Sequence, residues 1–135
     1  MLNEKLIPSS IARKSDVEQI NKRLGYSSEE QVIGTYYGKN LYRKNFKFNE
    51  LATGTNNVAH GIDNLNEIIN AYGSCKRNDD KIQPIPRIDA SELNWQIGVT
   101  DIDTQNFQIF VGSRYSSASK IKSGNVTLEY TKTTD

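Results

Sequence analysis

The chain contains one cysteine, one histidine, one tryptophan, one methionine and three prolines among its 135 residues. A single cysteine, Cys75, excludes an internal disulfide framework and zinc sites built on paired thiolates. A single histidine, His60, leaves little scope for histidine-based acid–base chemistry. Charge of one sign is missing too: 17 basic residues face 16 acidic ones, the formal net charge is +1, and the signs are mixed along the sequence. No phosphate-tracking surface is implied, so nucleic acid is not an expected partner. Long hydrophobic runs are also lacking. No stretch approaches the ~20 apolar residues of a membrane span, and MLNEKLIPSS has no apolar centre of signal-peptide length. The expectation is a protein without a membrane span, made soluble in the cytoplasm.

What is present fits one small domain. Hydrophobic residues make up 36% of the sequence, a modest supply for a chain that buries roughly two-thirds of its unfolded surface. The apolar residues must therefore line one face of each strand, or be shared across a subunit interface.

The first 25 residues read as a lead segment. Leu6, Ile7 and Pro8 suggest extended backbone, and Ser15 with Glu18 matches a capping box. Val17, Ile20 and Leu24 then recur at the spacing of one helical stripe, with Gly25 as a stop. A short helix is predicted. It either caps its own domain or forms a seam, through Val17, Ile20 and Leu24, with helices of neighbouring copies.

From Gln31 the period changes to two. Residues 32–37 and 41–48 predict a hairpin around Gly38-Lys39, read as a type II′ turn. Residues 49–57 read as a loop. Residues 67–76, EIINAYGSCK, fit a helix nearly as well as a strand; the β-branched content favours strand. Pro84 and Pro86 confine residues 82–88 to an edge or a loop. Trp95, Ile97 and Val99 alternate with Gln96, Gly98 and Thr100, and Phe107, Ile109 and Val111 with Asn106, Gln108 and Phe110, which predicts two half-buried strands joined around residues 101–105. A last strand carries Val126, Leu128 and Tyr130 after a turn at Ser123-Gly124-Asn125. The expected fold is all-β, an antiparallel β-sandwich of jelly-roll type with a short N-terminal helix, divided into residues 1–25 and a head domain at 26–135.

Catalytic constellations are weak. Asp101, Asp103 and Gln105 begin like a calcium loop, but Asn106 and Gly112 stand where an EF-hand needs glycine and glutamate. A polar turn is the reading. Glu29 and Glu30 are adjacent on an extended segment and point to opposite faces, unlike the paired carboxylates of a glycosidase. His60 has no serine or acidic partner at a telling spacing and reads as a hydrogen-bonded histidine in or beside an interface. Cys75 reads as a small buried apolar group. No enzyme activity, metal or cofactor is expected. Aromatic side chains offer the remaining binding chemistry, because tyrosine combines apolar area with a polar tip. The candidates are Tyr115 with Arg114 in the loop at 113–119, together with Tyr36 and Tyr37.

Three ordered segments carry a family resemblance. Tyr26-Ser27-Ser28-Glu29-Glu30 leads through Val32-Ile33-Gly34-Thr35 to Gly38-Lys39-Asn40-Leu41-Tyr42-Arg43-Lys44. Val58-Ala59-His60-Gly61-Ile62 with Leu65 follows, and Val126-Thr127-Leu128-Glu129-Tyr130-Thr131-Lys132-Thr133 closes the chain. The set resembles the head domains of bacteriophage tail-fibre and receptor-binding proteins. The resemblance implies a structural virion protein, a homotrimeric appendage that contacts other virion proteins and engages carbohydrate or protein on the host cell surface. Leu2, Leu6, Ile7, Pro8 and Ile11 would then dock on the particle. A head fibre or adaptor that bridges larger virion components without binding a receptor is the alternative, and tail tip, baseplate and head remain equally compatible positions.

Overall fold

The computed structural model describes residues 25–135. The predicted helix, its stripe Val17, Ile20 and Leu24, and the docking candidates Leu2, Leu6, Ile7, Pro8 and Ile11 lie outside the described residues. Eight strands follow in order: β1 (Gln31–Tyr36), β2 (Lys39–Phe48), β3 (Gly54–Ala59), β4 (Leu65–Arg77), β5 (Ile82–Ile85), β6 (Ile97–Ile102), β7 (Asn106–Val111) and β8 (Ile121–Lys132). They form two antiparallel sheets, one of five strands in the order β1-β2-β8-β4-β5 and one of three in the order β3-β7-β6. The all-β sandwich expected from the period-two segments is the fold observed.

Alternation decides which face of each strand is buried. On β7, Phe107, Ile109 and Val111 are fully buried, and on β8 so are Val126, Leu128 and Tyr130. These two strands are the centres of their sheets, and their apolar faces supply the middle of one core that also takes in Ile97, Ile85 and Ile121. Phe46 of β2 meets Phe107 edge-on across the sheets, with ring centroids 5.1 Å apart. Each such side chain contributes about 1.5–3 kcal/mol by leaving water.

Four local readings are corrected. The first hairpin turns at Tyr37-Gly38, not Gly38-Lys39: Tyr36 pairs with Lys39, and φ is +47° at Tyr37 and +79° at Gly38. Positive φ at both central residues is the mark of a type I′ turn, whose twist matches the flanking strands. The loop expected over residues 49–57 gives way at Gly54 to β3, which pairs with β7 from Gly54↔Val111 to Ala59↔Asn106. Trp95 ends a short 3₁₀ turn, Leu93–Trp95, and precedes its strand. Ser123-Gly124-Asn125 is no turn but part of β8, flanked by β4 on one side and by β2 on the other. The ambiguous segment at 67–76 is strand, and β5 sits at a sheet edge, as its Pro84 requires.

Candidate functional site

The outer face of the five-stranded sheet is built from the residues that alternate away from the core. Tyr42, Phe46 and Phe48 pack inward from β2, so Arg43, Asn45 and Lys47 face outward. On β8 the same logic turns Asn125, Thr127 and Glu129 to the outer side, where Thr127 is buried beneath its neighbours, and on β4 it turns Asn70, Tyr72 and Ser74. Strand register then aligns them in rows. Arg43, Glu129 and Asn70 form one, Asn45, Thr127 and Tyr72 the next, and Lys47, Asn125 and Ser74 the third.

Hydrogen bonds tie the rows into a fixed polar surface. Asn45 Nδ2 donates to Thr127 Oγ1 (2.9 Å) and to Asn125 Oδ1 (3.2 Å), and Asn125 Nδ2 donates to Ser74 Oγ (3.2 Å). Glu129 accepts from Asn70 Nδ2 (2.8 Å) and from the Tyr72 hydroxyl (2.9 Å). The Tyr72 hydroxyl also meets that of Tyr26 at 3.2 Å, and the Arg43 guanidinium lies 4.3 Å from the centre of the Tyr26 ring. Burial first, then these bonds, raises the Tyr72 phenol well above the ordinary tyrosine range. It stays a neutral donor.

Over this surface lies an open groove of about 760 Å³ whose lining includes Tyr26 and Tyr72, Asn45, Ser74 and Asn125, and Lys47, Lys76 and Ile82. That volume lies within the ~300–1,000 Å³ of small-molecule clefts. Its lining includes no aspartate or glutamate. An array of amide and hydroxyl groups beside two tyrosine rings can bind a polyol through hydrogen bonds and ring contact.

The residues singled out from the sequence lie elsewhere. Tyr115 is 1% exposed and offers no stacking face, which corrects its assignment as a binding residue. Its ring meets Trp95 edge-on at 5.1 Å, and its hydroxyl donates to the Trp95 carbonyl (2.9 Å) and accepts from Arg87 Nη1 (3.1 Å). With the Gln83 amide turned to satisfy its neighbours, its nitrogen donates to the same hydroxyl (2.6 Å) while its oxygen accepts from Arg77 and Arg87 (3.2 Å each). This knot locks the loop before β8 into the core. Arg114, next in sequence, points outward and pairs with Glu92 at 3.2 Å. Tyr36 and Tyr37 are at the tip of the β1–β2 hairpin, ring to ring at 4.8 Å, with Tyr37 91% exposed. None of these four lines the groove.

His60 and Cys75 are both buried. His60 Nδ1 accepts from the Ile62 amide (2.9 Å) and Nε2 donates to the Asp103 carbonyl (2.7 Å), which pins the segment after β3 to the β6–β7 turn. Asp103 in turn accepts from the amides of Gln105 and Asn106. The turn at residues 101–105 is thus a capped polar turn. Burial pushes the Cys75 thiol up to about 11 and keeps it an inert thiol. Glu30 pairs with Lys132 (2.6 Å) and accepts from the Tyr130 hydroxyl, holding the approach to β1 against the end of β8. Among the described residues no three His, Cys, Asp or Glu side chains are grouped to hold a metal ion, and no helix is long and apolar enough to cross a membrane.

Asn45, Ser74 and Asn125 escaped sequence reasoning because each is an ordinary polar residue on an alternating strand. The outward phase of β2 and β8 was visible; which strands would lie side by side was not. No family model matches the chain, and neither the search of curated proteins nor that of solved structures returns a match.

Proposed function

We propose that the chain is a non-catalytic structural protein of a bacteriophage particle, a trimeric fibre or receptor-binding appendage whose sandwich attaches to the host surface. The observation that carries this reading is where the three resembling segments meet. β2 pairs with β8 along Tyr42–Phe48 and Gly124–Tyr130, and Lys44 Nζ donates to the His60 carbonyl (2.7 Å). Tyr26 from the first segment and Thr127 from the third both line the outer groove. The segments are one contiguous unit that borders the outer groove. In this reading residues 1–25 attach the domain to the virion, and attachment works by multivalency: copies on one scaffold turn weak sites into firm adhesion.

Adsorption competition tests it. Purified full-length protein added to host cells is expected to bind them and to reduce phage adsorption in proportion to its concentration. Protein that neither binds cells nor slows adsorption overturns the receptor-binding role.

A purely architectural role, as a head fibre or adaptor, draws on a different observation. Ile88 (77% exposed), Leu93 (63%) and Phe110 (37%) put apolar surface on and beside the three-stranded sheet, away from the groove. Such surface suits contact with sister copies or larger virion proteins. An architectural chain would be found in particles and leave adsorption unchanged.

A further inference from the structure

Resting on the adhesive reading, we infer that the outer groove is a glycan site selective for anionic sugars, that is, polyols carrying a carboxylate or phosphate. Three features of the groove lead there. First, its polar groups are amides and hydroxyls held in place by one another: Asn45, bonded to Thr127 and Asn125, and Asn125, bonded to Ser74. Such groups both donate and accept, as do sugar hydroxyls, and their fixed geometry reduces the ordering cost on binding. Second, its lining includes two tyrosines, linked hydroxyl to hydroxyl, and Arg43 against the Tyr26 ring steadies one of them. A pyranose has an apolar face that packs on such rings.

Third, the charge is one-sided. The lining carries Lys47 and Lys76 and no carboxylate. Lys76 lies 3.8 Å from Asp80, but Asp80 is engaged more closely by Lys122 at 2.6 Å. Lys47 is exposed and makes no ion pair with any described residue. It stands in the same row as Asn125 and Ser74, so an anion on a sugar held by that row meets an uncompensated ammonium. A groove with only these two cations does not have the extended positive track that a nucleic-acid backbone demands.

The test is an amide-shift titration of the isotope-labelled full-length protein with trigalacturonate, maltotriose, glucose 6-phosphate and glucose. Trigalacturonate is expected to shift the amides of Asn45, Lys47, Tyr72, Ser74 and Asn125, and to bind about fivefold more tightly than maltotriose, the scale of one exposed charge pair. Glucose 6-phosphate is expected to exceed glucose likewise. A preference between uronate and sugar phosphate identifies the source of the charge, and either supports the inference. Lys47→Gln is expected to lower the ratio of trigalacturonate to maltotriose affinity, and an unchanged ratio overturns the part assigned to Lys47. Equal affinity for charged and neutral sugars overturns the charge selectivity. Shifts outside the groove, none at all, or tighter binding of a thymidine oligonucleotide overturns the site. If the Lys47→Gln and Asn45→Ala proteins still compete for adsorption like the unaltered chain, the glycan site falls while the adhesive reading stands; if the unaltered chain does not compete, the adhesive reading itself falls.

Discussion

At the scale of single residues, Tyr115 is the most instructive. The sequence places it in a serine-rich loop beside Arg114, where an exposed ring would be unremarkable. The structure turns it inward because its hydroxyl finds Gln83, Arg87 and the Trp95 carbonyl at once. Burial of the tyrosine is possible only with those partners, and they come from distant parts of the chain. Tyr115→Phe keeps the ring and deprives the buried groups of a partner. It is expected to lower unfolding stability by about 1–3 kcal/mol, read from urea denaturation; an unchanged midpoint and slope would contradict the described network. The titratable residues bound the range of stability from both sides. Hydrogen bonds from Asn106 and Gln105 hold the Asp103 carboxyl below its usual range, Lys122 does the same for Asp80, and Ser91 for Asp89. Depressed carboxyls stabilise the fold above their unfolded value of about 3.9, and that support is lost as pH falls through the folded values. Tyr130 and Tyr115 are raised, chiefly by burial. Their phenols ionise in the unfolded chain from about pH 10 and stay neutral in the fold, so stability falls as pH rises beyond that point. A plot of urea midpoint against pH is expected to fall below about pH 4 and above about pH 10; no loss above pH 10 would contradict the burial of the tyrosines.

Among the elements, strands with a strong period were legible and their ends were not. Phe107, Ile109 and Val111 declare a half-buried strand whatever surrounds them, and β7 is that strand. Ser123-Gly124-Asn125 has the composition of a turn, yet it continues β8 because two neighbours need a close approach there. A Cβ on Gly124 would sit 2.5 Å from Phe48 Cζ and 2.6 Å from the Ser74 carbonyl oxygen. The ring can shift; the backbone oxygen belongs to the β4–β8 ladder and cannot. Gly124→Ala is expected to destabilise the protein by about 1–3 kcal/mol, in thermal or urea unfolding. Alanine tolerated without loss would show that β4 and β8 are not paired as described. The hairpin teaches the same lesson on a smaller scale. A glycine marked the turn correctly, but the turn type depended on Tyr37 entering the left-handed region at φ +47°, which its residue type does not announce. The candidate site was hidden for a related reason. Asn45, Ser74 and Asn125 lie up to 80 residues apart in sequence, and only pairing of the strands makes them a surface.

For the molecule as a whole, the C-terminal strand lies at the centre of the larger sheet, between β2 and β4. Sandwiches that depend on such distant pairings fold slowly and cooperatively, and every row of the groove includes a residue of β8. Ending the chain before Val126 is therefore expected to abolish both the fold and host-cell binding, as seen by loss of dispersed amide shifts; a folded truncated protein would contradict the central place of β8. In the proposed reading the groove on the larger sheet would serve attachment, while the exposed apolar residues at the smaller sheet are the surface that the architectural alternative would use. The proposed role is tested most directly by cryo-electron microscopy of purified phage particles, the proposed source of this chain. The account predicts eight-stranded sandwiches around a threefold axis at the particle surface, with Tyr72, Asn45 and Asn125 facing outward. Particles that lack the chain, or that bury the groove against other virion proteins, would contradict it.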